Sequence, residues 1–378
     1  MRRIVVAPDK FKGSLTARAA AQAIARGLVS AWGAEADPVL VPMADGGEGT
    51  VDAFVDGGAV RVVHRVAGPL GAPVDASLAL QGDTAVVEMA LASGLGLLAP
   101  GERNPLVTST RGTGELIRAA LDAGAGRVVV AIGGSATNDG GAGILQALGA
   151  RMLDAAGREL PPGGAALRAL ARIDLAALDE RLHSVRIDVA ADVDNPLCGE
   201  RGASAGYAEQ KGASADDVRQ LDAALAHFAD VAAETLGRDR RDTPGAGAAG
   251  GLGFGLLAFL GATLRPGVEL VAELRGLGAA LHGAALCVTG EGSIDAQTAR
   301  GKTVAGVARI ARTSGVPVVA FGGRVAREAD EMLAAEGALV LPIVDGPMRE
   351  DAAMRDAAVL LEAAARRLAQ TLDIGARG

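Results

Sequence analysis

Lysine is scarce in this chain and is confined to turn-like stretches. Of the 37 basic residues among 378, only four are lysines. They are Lys10 and Lys12 in PDKFKGS, Lys211 in EQKGAS and Lys302 in ARGKT. An ammonium group is a compact point charge that suits phosphate oxygens, whereas a guanidinium is a planar fork. Because arginine supplies the general positive charge, these lysines indicate phosphate binding, unless loops simply favour polar residues.

Carboxylates follow two predicted strands. Asp45 ends the strand PVLVPMA, and Glu48 comes three residues later at a helix start. Asp192 and Asp194 follow the strand SVRIDVAA, and an extended backbone places both on one side, next to Asn195. Acids in such positions hold magnesium or accept a hydroxyl proton. We expect Asp45 and Asp192 to bind magnesium, while the choice of base among the three aspartates stays open. The structural alternative for Glu48 is a favourable position at the positive end of the helix dipole. For Asp192 and Asp194 the alternative is formation of a turn before Pro196.

The glycine-rich stretch GGSATNDGGAG follows the apolar strand RVVVAI and opens a helix. A strand, a glycine loop and a helix N-terminus together form an anion-binding nest of backbone amides. Gly133 and Gly134 would supply the amides, with polar side chains from Ser135, Asn138 and Asp139. An ordinary tight turn with Asn138 or Asp139 as the helix cap is the alternative.

Residues 288–303 end in Gly-Lys-Thr, like a nucleotide-binding P-loop. A P-loop also needs a glycine at the position of Ala296, and it follows its strand directly. Here Gly290 and Gly292 follow the strand instead, so we exclude a P-loop and expect a second backbone nest at these two glycines. The stretch supplies further candidate binding groups: Glu291, Ser293, Asp295 and Lys302.

GAGAAG at residues 245–250 matches the dinucleotide fingerprint G-x-G-x-x-G. That fingerprint must follow a strand, whereas the charged segment LGRDRRDTP precedes this match. We therefore exclude a Rossmann site. Two explanations of these glycines stay open: an anion bound by the N-terminal amides of the next helix, or tight packing against another backbone segment. The apolar part of that predicted helix, residues 252–264, is too short for a bilayer span.

Composition restricts the class of protein. The chain is 49% hydrophobic and 22% charged, with a mean hydropathy of +0.28, as in a compact globular protein. A net charge of −8 and a pI near 5.2, without a basic block, argue against a nucleic-acid partner. Cys198 and Cys287 match neither a disulfide framework nor a metal spacing. We expect a cytoplasmic protein without a membrane partner, and either a monomer or a homodimer.

Strands and helices alternate at both ends of the chain, which predicts a doubly wound α/β domain with a parallel sheet. Residues 61–90 instead alternate apolar and polar positions between turn signals, which predicts antiparallel hairpins in a mixed sheet. We therefore expect residues 1–58 plus 285–378 to form one domain and residues 59–284 an inserted α/β domain. The site is expected in the cleft between them, where small ligands usually bind.

Taken together, these blocks resemble the bacterial glycerate kinase family in its two-domain class. The match runs in order over essentially the whole chain. It is carried by VAPDKFKGSLTA, MADGGEGT, ASGLGLL, RNPL, GTGELIRAALDAG, GGSATNDGG, DVDNPLCGERGA, QKGAS, GAGAAGGLGFG, RPGVELV and TGEGSIDAQTARGK. The resemblance implies a flavodoxin-like domain interrupted by a second α/β domain. It also implies phosphorylation of D-glycerate that depends on ATP and magnesium, usually giving 2-phosphoglycerate, with 3-phosphoglycerate the alternative product.

Three positions depart from the family pattern. The family usually has an aromatic residue where Arg111 stands and Gly-Pro where this chain has Ala208-Glu209. Some members replace Lys10 by serine, so Lys12 is the stronger candidate for phosphate binding and catalysis. Arg111 is a candidate for the carboxylate of glycerate. The remaining candidates for substrate or nucleotide binding are Ser14, Gly46, Gly47, Asn195 and Lys211.

Two other functions stay open at this point. A dehydrogenase that uses NAD on a small hydroxy acid would explain GAGAAG and the doubly wound ends. A non-catalytic sensor of organic acids on the same fold would bind ligand without turning over ATP.

Overall fold

The structure, a computed structural model, describes residues 1–296 and 302–375, so Gly301 of the Gly-Lys-Thr triplet lies outside the described residues. The strands are β1 (Arg2–Val6), β2 (Ala36–Leu40), β3 (Val60–Ala67), β4 (Pro73–Gln81), β5 (Thr84–Glu88), β6 (Arg127–Ala131), β7 (Arg151–Leu153), β8 (Arg172–Asp174), β9 (Arg186–Ala190), β10 (Thr263–Arg265), β11 (Leu286–Ile294), β12 (Val318–Val325) and β13 (Ala338–Pro342). The α-helices are α1 (Ala17–Trp32), α2 (Thr50–Asp56), α3 (Ala90–Ser93), α4 (Arg111–Asp122), α5 (Ala142–Ala147), α6 (Ala203–Tyr207), α7 (Ala215–Leu236), α8 (Ala248–Phe259), α9 (Gly267–Leu274), α10 (Leu277–Leu281), α12 (Thr303–Thr313), α13 (Arg327–Ala335), α14 (Glu350–Arg355) and α15 (Ala357–Gly375).

The chain forms two compact units. Unit 1 consists of Met1–Asp45, Asp52–Gly57 and Pro266–Gly378, and unit 2 of Gly46–Val51 and Gly58–Arg265. Residues 266–284, which the sequence analysis assigns to the inserted domain, pack in unit 1. The reason is that α9 and α10 lie against α12, with Glu269 of α9 within 3.6 Å of Arg309 on α12.

Unit 1 is built on a parallel sheet with the strand order β13-β12-β11-β1-β2 in the described residues. Counted along unit 1 alone, this is the flavodoxin-like order, and the topological switch point lies between β1 and β11. Ile4, Val6 and Phe321 are buried in a core with α1 and α15. The alternating positions Val5 and Cys287 are also fully buried, so both faces of the sheet are covered. The predicted doubly wound domain is confirmed.

Local chemistry explains several element boundaries in unit 1. Thr16 caps α1, because its side-chain oxygen accepts a hydrogen bond from the Ala19 amide at 3.1 Å. The C-terminal helical segment is divided at Asp356 into α14 and α15. β11 continues through Gly290 to Ile294, where the sequence predicts a loop.

Unit 2 contains a mixed sheet with the strand order β10-β9-β6-β5-β4-β3 in the described residues. β3, β4 and β5 form the predicted antiparallel hairpins, and β5, β6, β9 and β10 run parallel. The predicted inserted mixed α/β fold is therefore confirmed. The helix predicted to reach Leu264 ends at Phe259, because Gly261 turns the chain with φ of 62° into the short strand β10.

The apolar helix α8 is a core element of unit 2. Leu252, Phe254 and Leu256 are at most 1% exposed. In the ranges 1–296 and 302–375, the helices are too short or too polar to cross a membrane.

Candidate functional site

The predicted candidates divide between the carboxyl ends of the two sheets. Those in unit 1 are Lys10, Lys12, Ser14, Asp45, Gly290, Glu291, Gly292, Ser293, Asp295 and Lys302. Those in unit 2 are Gly46, Gly47, Glu48, Arg111, Gly133, Gly134, Ser135, Asn138, Asp139, Asp192, Asp194, Asn195 and Lys211.

In unit 1 the chain leaving β1 runs along the carboxyl half of β11. The Ala7 amide donates to the Val288 carbonyl at 2.7 Å, and the Asp9 amide donates to the Gly290 carbonyl at 2.9 Å. A Cβ on Gly292 would lie 3.0 Å from the Lys12 amide nitrogen. Both glycines belong to β11, which pairs with β12 there, and not to the loop that the sequence predicts. A backbone nest at Gly290 and Gly292 stays a prediction. Gly292 lets the lysine-bearing segment approach the strand closely, whereas a Cβ on Gly290 would lie 2.3 Å from the Phe321 carbonyl oxygen of β12.

Asp9 lies at the centre of this arrangement, and the sequence analysis missed it. Its side chain is 6% exposed and accepts hydrogen bonds from the Lys10 amide at 2.6 Å and the Thr303 hydroxyl at 2.5 Å. The pKa of Asp9 is raised to about 6, mainly because the carboxyl group is buried and secondly because the Asp45 carboxylate repels its negative charge. Two neighbouring carboxylates thus stand where β1 and β2 end. The only sequence signal was an acid within the PDKFKGS stretch already chosen for its lysines.

The other candidates of unit 1 lie on the segment after β1, on or directly after β11 and just before α12. Lys302 directly precedes Thr303, the first residue of α12. Lys12 is exposed, and no ion pair joins its ammonium to a carboxylate of the described residues. Ser14 donates a hydrogen bond to the Met354 carbonyl at 2.9 Å. Glu291 and Ser293 lie in the extension of β11, and Asp295 comes directly after it.

Glu88, a second residue that was not predicted from the sequence, holds the segment Gly46–Val51 of unit 2. It ends β5, is 2% exposed and accepts hydrogen bonds at 3.0 Å from the amides of both Gly49 and Val51. Its two oxygens therefore fix the amides at the start of α2. Its position at the end of an apolar strand was the only available signal.

Two predicted glycine loops meet in unit 2. The Gly133 amide donates to the Gly46 carbonyl at 3.3 Å, and a Cβ on Gly133 would lie 2.6 Å from the Gly47 Cα. On the other side, Gly134 faces the side chain of Glu48. The structure thus brings together the segment 46–48 and the segment 133–134, which the sequence analysis selected independently. Ser135, the next residue, is half-buried.

Asp139 and Asn138 are buried inside unit 2. Asp139 is 1% exposed and accepts from the amide and hydroxyl of Thr110 and from the amides of Gly141 and Gly143. Burial raises its pKa, and these four hydrogen bonds oppose the rise. Asn138 is fully buried and donates to the Ser204 hydroxyl at 2.9 Å. Asp139 therefore fixes the loop and the starts of α4 and α5, whereas Asn138 joins the loop to α6. The residue that caps α5 is Gly141 rather than Asn138 or Asp139.

Lys211 also supports the glycine loop. It is 2% exposed, and its ammonium donates to the Thr137 carbonyl at 2.7 Å. Burial lowers the pKa of Lys211 to about 7, and the nearby Asp139 carboxylate opposes this change. Lys211 is the one buried lysine of the four, and its ammonium contacts a backbone carbonyl of the protein rather than solvent.

The GAGAAG segment packs against the same loop. A Cβ on Gly250 would lie 2.0 Å from the Thr137 carbonyl oxygen, which explains why glycine is needed there. Ala249, the only non-glycine residue with positive φ among the described residues, adopts φ of 53° beside it. The preceding regular element is the helix α7 rather than a strand. The tight-packing alternative is therefore confirmed and a dinucleotide fingerprint is excluded.

The remaining candidates lie at the ends of β9 and α4. Asp192 and Asp194 are exposed after β9, while Asn195 receives no hydrogen bond at its buried Oδ1 from the described residues. The Asn195 carbonyl accepts from the Gly247 amide at 3.0 Å. Arg111, the candidate for the glycerate carboxylate, forms an i,i+4 ion pair with Glu115 at 3.1 Å and is half-exposed.

The carboxylate chemistry of unit 1 suits a magnesium ion that arrives with phosphates. Within residues 1–296 and 302–375, no group of three or more His, Cys, Asp or Glu side chains is arranged to hold a metal. Magnesium bound with a nucleotide commonly needs only one or two protein carboxylates, the other ligands being phosphate and water. Asp9 and Asp45 provide such a pair, and their mutual repulsion is what a divalent cation would relieve.

Comparison with known proteins gives a consistent result. The model of the glycerate kinase family matches residues 4–373. The chain is 50% identical to a glycerate kinase of Bacillus subtilis (strain 168), with 98% of each chain covered. It is 46% identical to a glycerate 2-kinase of Escherichia coli (strain K12), with 99% of each covered. The crystal structure of a protein assigned as glycerate kinase 2 from Salmonella typhimurium LT2 matches with a TM-score of 0.89, 46% identity and 99% of both chains covered. The chain therefore belongs to the glycerate kinase family.

Proposed function

We propose that this protein transfers a phosphoryl group from ATP to the 2-hydroxyl of D-glycerate, producing 2-phosphoglycerate and ADP. The observation that carries the proposal is the 46% identity to the Escherichia coli glycerate 2-kinase over 99% of both chains. Phosphoryl transfer needs positioning, charge neutralisation and removal of one hydroxyl proton. The candidate residues described above offer groups for each of these tasks.

Charge neutralisation is the task we assign to unit 1. Lys12 is an exposed cation on a segment that lies against β11, and no carboxylate of the described residues pairs with it, so its ammonium can contact phosphate oxygens directly. Asp45, with Asp9 beside it, would hold the magnesium ion, which neutralises phosphate charge when bound. Thr303 keeps the Asp9 carboxylate in place through its hydroxyl.

The proton acceptor is assigned to the aspartates that follow β9. Asp192 and Asp194 are exposed at the carboxyl end of the unit 2 sheet, where α/β proteins bind ligands. One of them would accept the hydroxyl proton of glycerate, and Asp192 stays the second candidate for magnesium. The Gly133 amide already donates to the Gly46 carbonyl, so the Gly134 amide would be the one to bind an anionic group of a substrate.

A direct assay tests this proposal. The protein is incubated with MgATP and D-glycerate, ADP release is measured, and phosphorus–proton NMR correlation identifies the phosphorylated carbon. We expect ADP only when glycerate is present and phosphate on carbon 2. ADP with phosphate on carbon 3 would keep the kinase but correct the product. If the ADP released with glycerate did not exceed the amount released without it, the proposal would be overturned.

Location in the cytoplasm, the oligomeric state and the absence of a nucleic-acid partner remain predictions from the sequence.

A further inference from the structure

A cavity of about 520 Å³ opens within unit 1 at the carboxyl ends of its strands. Its wall includes residues that follow or end four neighbouring strands: Lys12 after β1, Ser293 on β11, Arg324 on β12 and Val344 after β13. Cavities of this size commonly accommodate ligands as large as a drug or a cofactor. The carboxyl edge beside a switch point is also where open α/β sheets bind ligands.

One side of this cavity is apolar. Ile343 and Met348 from the connection after β13, together with Ala353 and Met354 of α14, line it. Met348 and Met354 are 42% and 38% exposed, so large apolar surfaces face solvent beside the opening. Methionine adapts its shape to flat ligands, and a ring placed there would cover surface that the protein leaves in water.

Another part of the cavity wall is cationic. Ser293 pairs in register with Arg324, and Gly292 lies against the Lys12 backbone, so both cations flank the end of β11. Neither Lys12 nor Arg324 forms an ion pair with a described residue, whereas the nearby Arg327 and Arg349 pair with Glu331 and Asp351. Among the described residues that line the wall, Glu350 is the one carboxylate, so together with Lys12 and Arg324 they carry a net positive charge.

We propose that this cavity binds the base and ribose of the nucleoside triphosphate, with the phosphates towards Arg324 and Lys12. The inference rests on the proposed kinase function and assigns its nucleotide to a place. Strand order supports this direction: the apolar wall belongs to the β13 edge, the cations to β12 and β1, and the carboxylates Asp9 and Asp45 to β1 and β2. A base, a phosphate chain and its magnesium ion would follow the sheet in that order.

Glycerate is the rival occupant of this cavity. It has three carbons, is polar throughout and carries one negative charge, so it would fill only part of the space and gain nothing from the methionine wall. An anionic ligand with a large apolar ring satisfies both sides of the cavity. Steady-state kinetics distinguishes glycerate from the nucleotide as the occupant of this cavity.

Two substitutions test the proposal in the full-length protein. Ala353→Phe fills the apolar side, and Ala352→Phe on the same helix, outside the cavity wall, is its control. Arg324→Gln removes the unpaired cation, and Arg327→Gln, three residues later, is the control. We measure KM for ATP and KM for glycerate separately, and follow AMP-PNP binding with magnesium by calorimetry. Thermal unfolding checks that each variant is folded.

We expect Ala353→Phe and Arg324→Gln to raise KM for ATP and Kd for AMP-PNP by about tenfold or more. KM for glycerate should stay within about twofold, and the controls should resemble the wild type. A rise in KM for glycerate alone, or no change in either constant in folded variants, would overturn the inference. If the wild type released no ADP with glycerate, the proposed function would fail, but loss of AMP-PNP binding in Ala353→Phe would still support the cavity assignment. Unchanged AMP-PNP binding in that case would refute it too. If Ala353→Phe did not fold, Arg324→Gln would decide the matter alone.

Discussion

The hydroxyl of Thr303 donates a 2.5 Å hydrogen bond to the buried carboxylate of Asp9. This contact joins the first residue of α12 to the segment that leaves β1, although 294 positions separate the two residues. It therefore fixes the lysine-bearing segment relative to the helix that follows Lys302. Neighbouring negative charge and burial both disfavour the ionised form of Asp9, so the fold keeps a carboxylate here at a cost in stability.

Replacing Asp9 should separate stability from activity. Because burial and Asp45 raise the pKa of Asp9 to about 6, the neutral amide of Asp9→Asn removes a destabilising charge at any pH above that value. We expect an unchanged or higher free energy of unfolding in urea, together with a fall in kcat/KM of about tenfold or more. Thr303→Val is the companion variant, since it keeps the carboxylate and removes its donor. A stable Asp9→Asn enzyme with full activity would contradict a functional role for this carboxylate.

Lys12→Met tests the proposed phosphate contact. We expect kcat/KM to fall by about tenfold or more, or about 1.4 kcal/mol of transition-state stabilisation. Thermal unfolding should change little, because the side chain is exposed. Lys10→Met is the matched comparison, two residues earlier in the same segment, and we expect a smaller loss from it. A loss below about fivefold for Lys12→Met would remove this lysine from the transition state.

Lys211 should make stability depend on pH in a defined window. Burial lowers its pKa from 10.5 to about 7, so between these values the unfolded chain binds a proton that the folded chain does not. The free energy of unfolding contributed by this group therefore rises with pH across the window, and the burial cost is fully present below it. Lys211→Met removes that dependence. It also leaves the Thr137 carbonyl without its donor, which costs about 1–3 kcal/mol.

Urea unfolding of the wild type and of Lys211→Met at several pH values within this window measures the effect. We expect the stability of the wild type relative to the variant to increase as the pH rises. A difference that stays constant over the window would mean that Lys211 is protonated in the folded protein.

Ala249→Gly should stabilise unit 2 if the left-handed backbone at this position is strained. A left-handed conformation costs a residue with a Cβ about 1–2 kcal/mol, and glycine avoids this cost. We expect a gain of up to about 1 kcal/mol, since the unfolded chain also gains freedom. Ala258→Gly, in the regular part of α8, is the control and should lose about 0.5–1 kcal/mol. Equal losses in both variants would show that the Ala249 backbone is relaxed.

Elements that depend on local chemistry could be predicted from the sequence. The Thr16 cap, the alternation at both ends and the hairpins of residues 61–90 follow from hydroxyl capping, strand–helix periodicity and turn residues. The extension of β11 could not, because the glycines of GEGSI suggest a loop unless one knows that the chain from β1 lies against them. The same holds for β10, since a strand of three residues depends on its neighbour β9.

The candidate site shows the same division. Lys12, Asp45 and the glycine segments could be selected from residue type and position relative to predicted strands. Asp9 and Glu88 could not, because their importance arises from burial and from amides and hydroxyls contributed by distant segments. Asp139 is the converse case: its place in a glycine loop suggested ligand binding, whereas its two oxygens are occupied by the starts of two helices.

The strand order of unit 1 has a consequence for synthesis of the protein. β1 lies between β2 and β11, and more than half of the chain is translated between β1 and β11. The mixed sheet of unit 2 comes from one continuous stretch and is complete as soon as Arg265 has left the ribosome. The apolar strand β1 must meanwhile wait with one edge unpaired, and contacts of such high sequence separation form slowly. During translation, the nascent N-terminal segment is therefore the part of this chain with the greatest need for protection against aggregation.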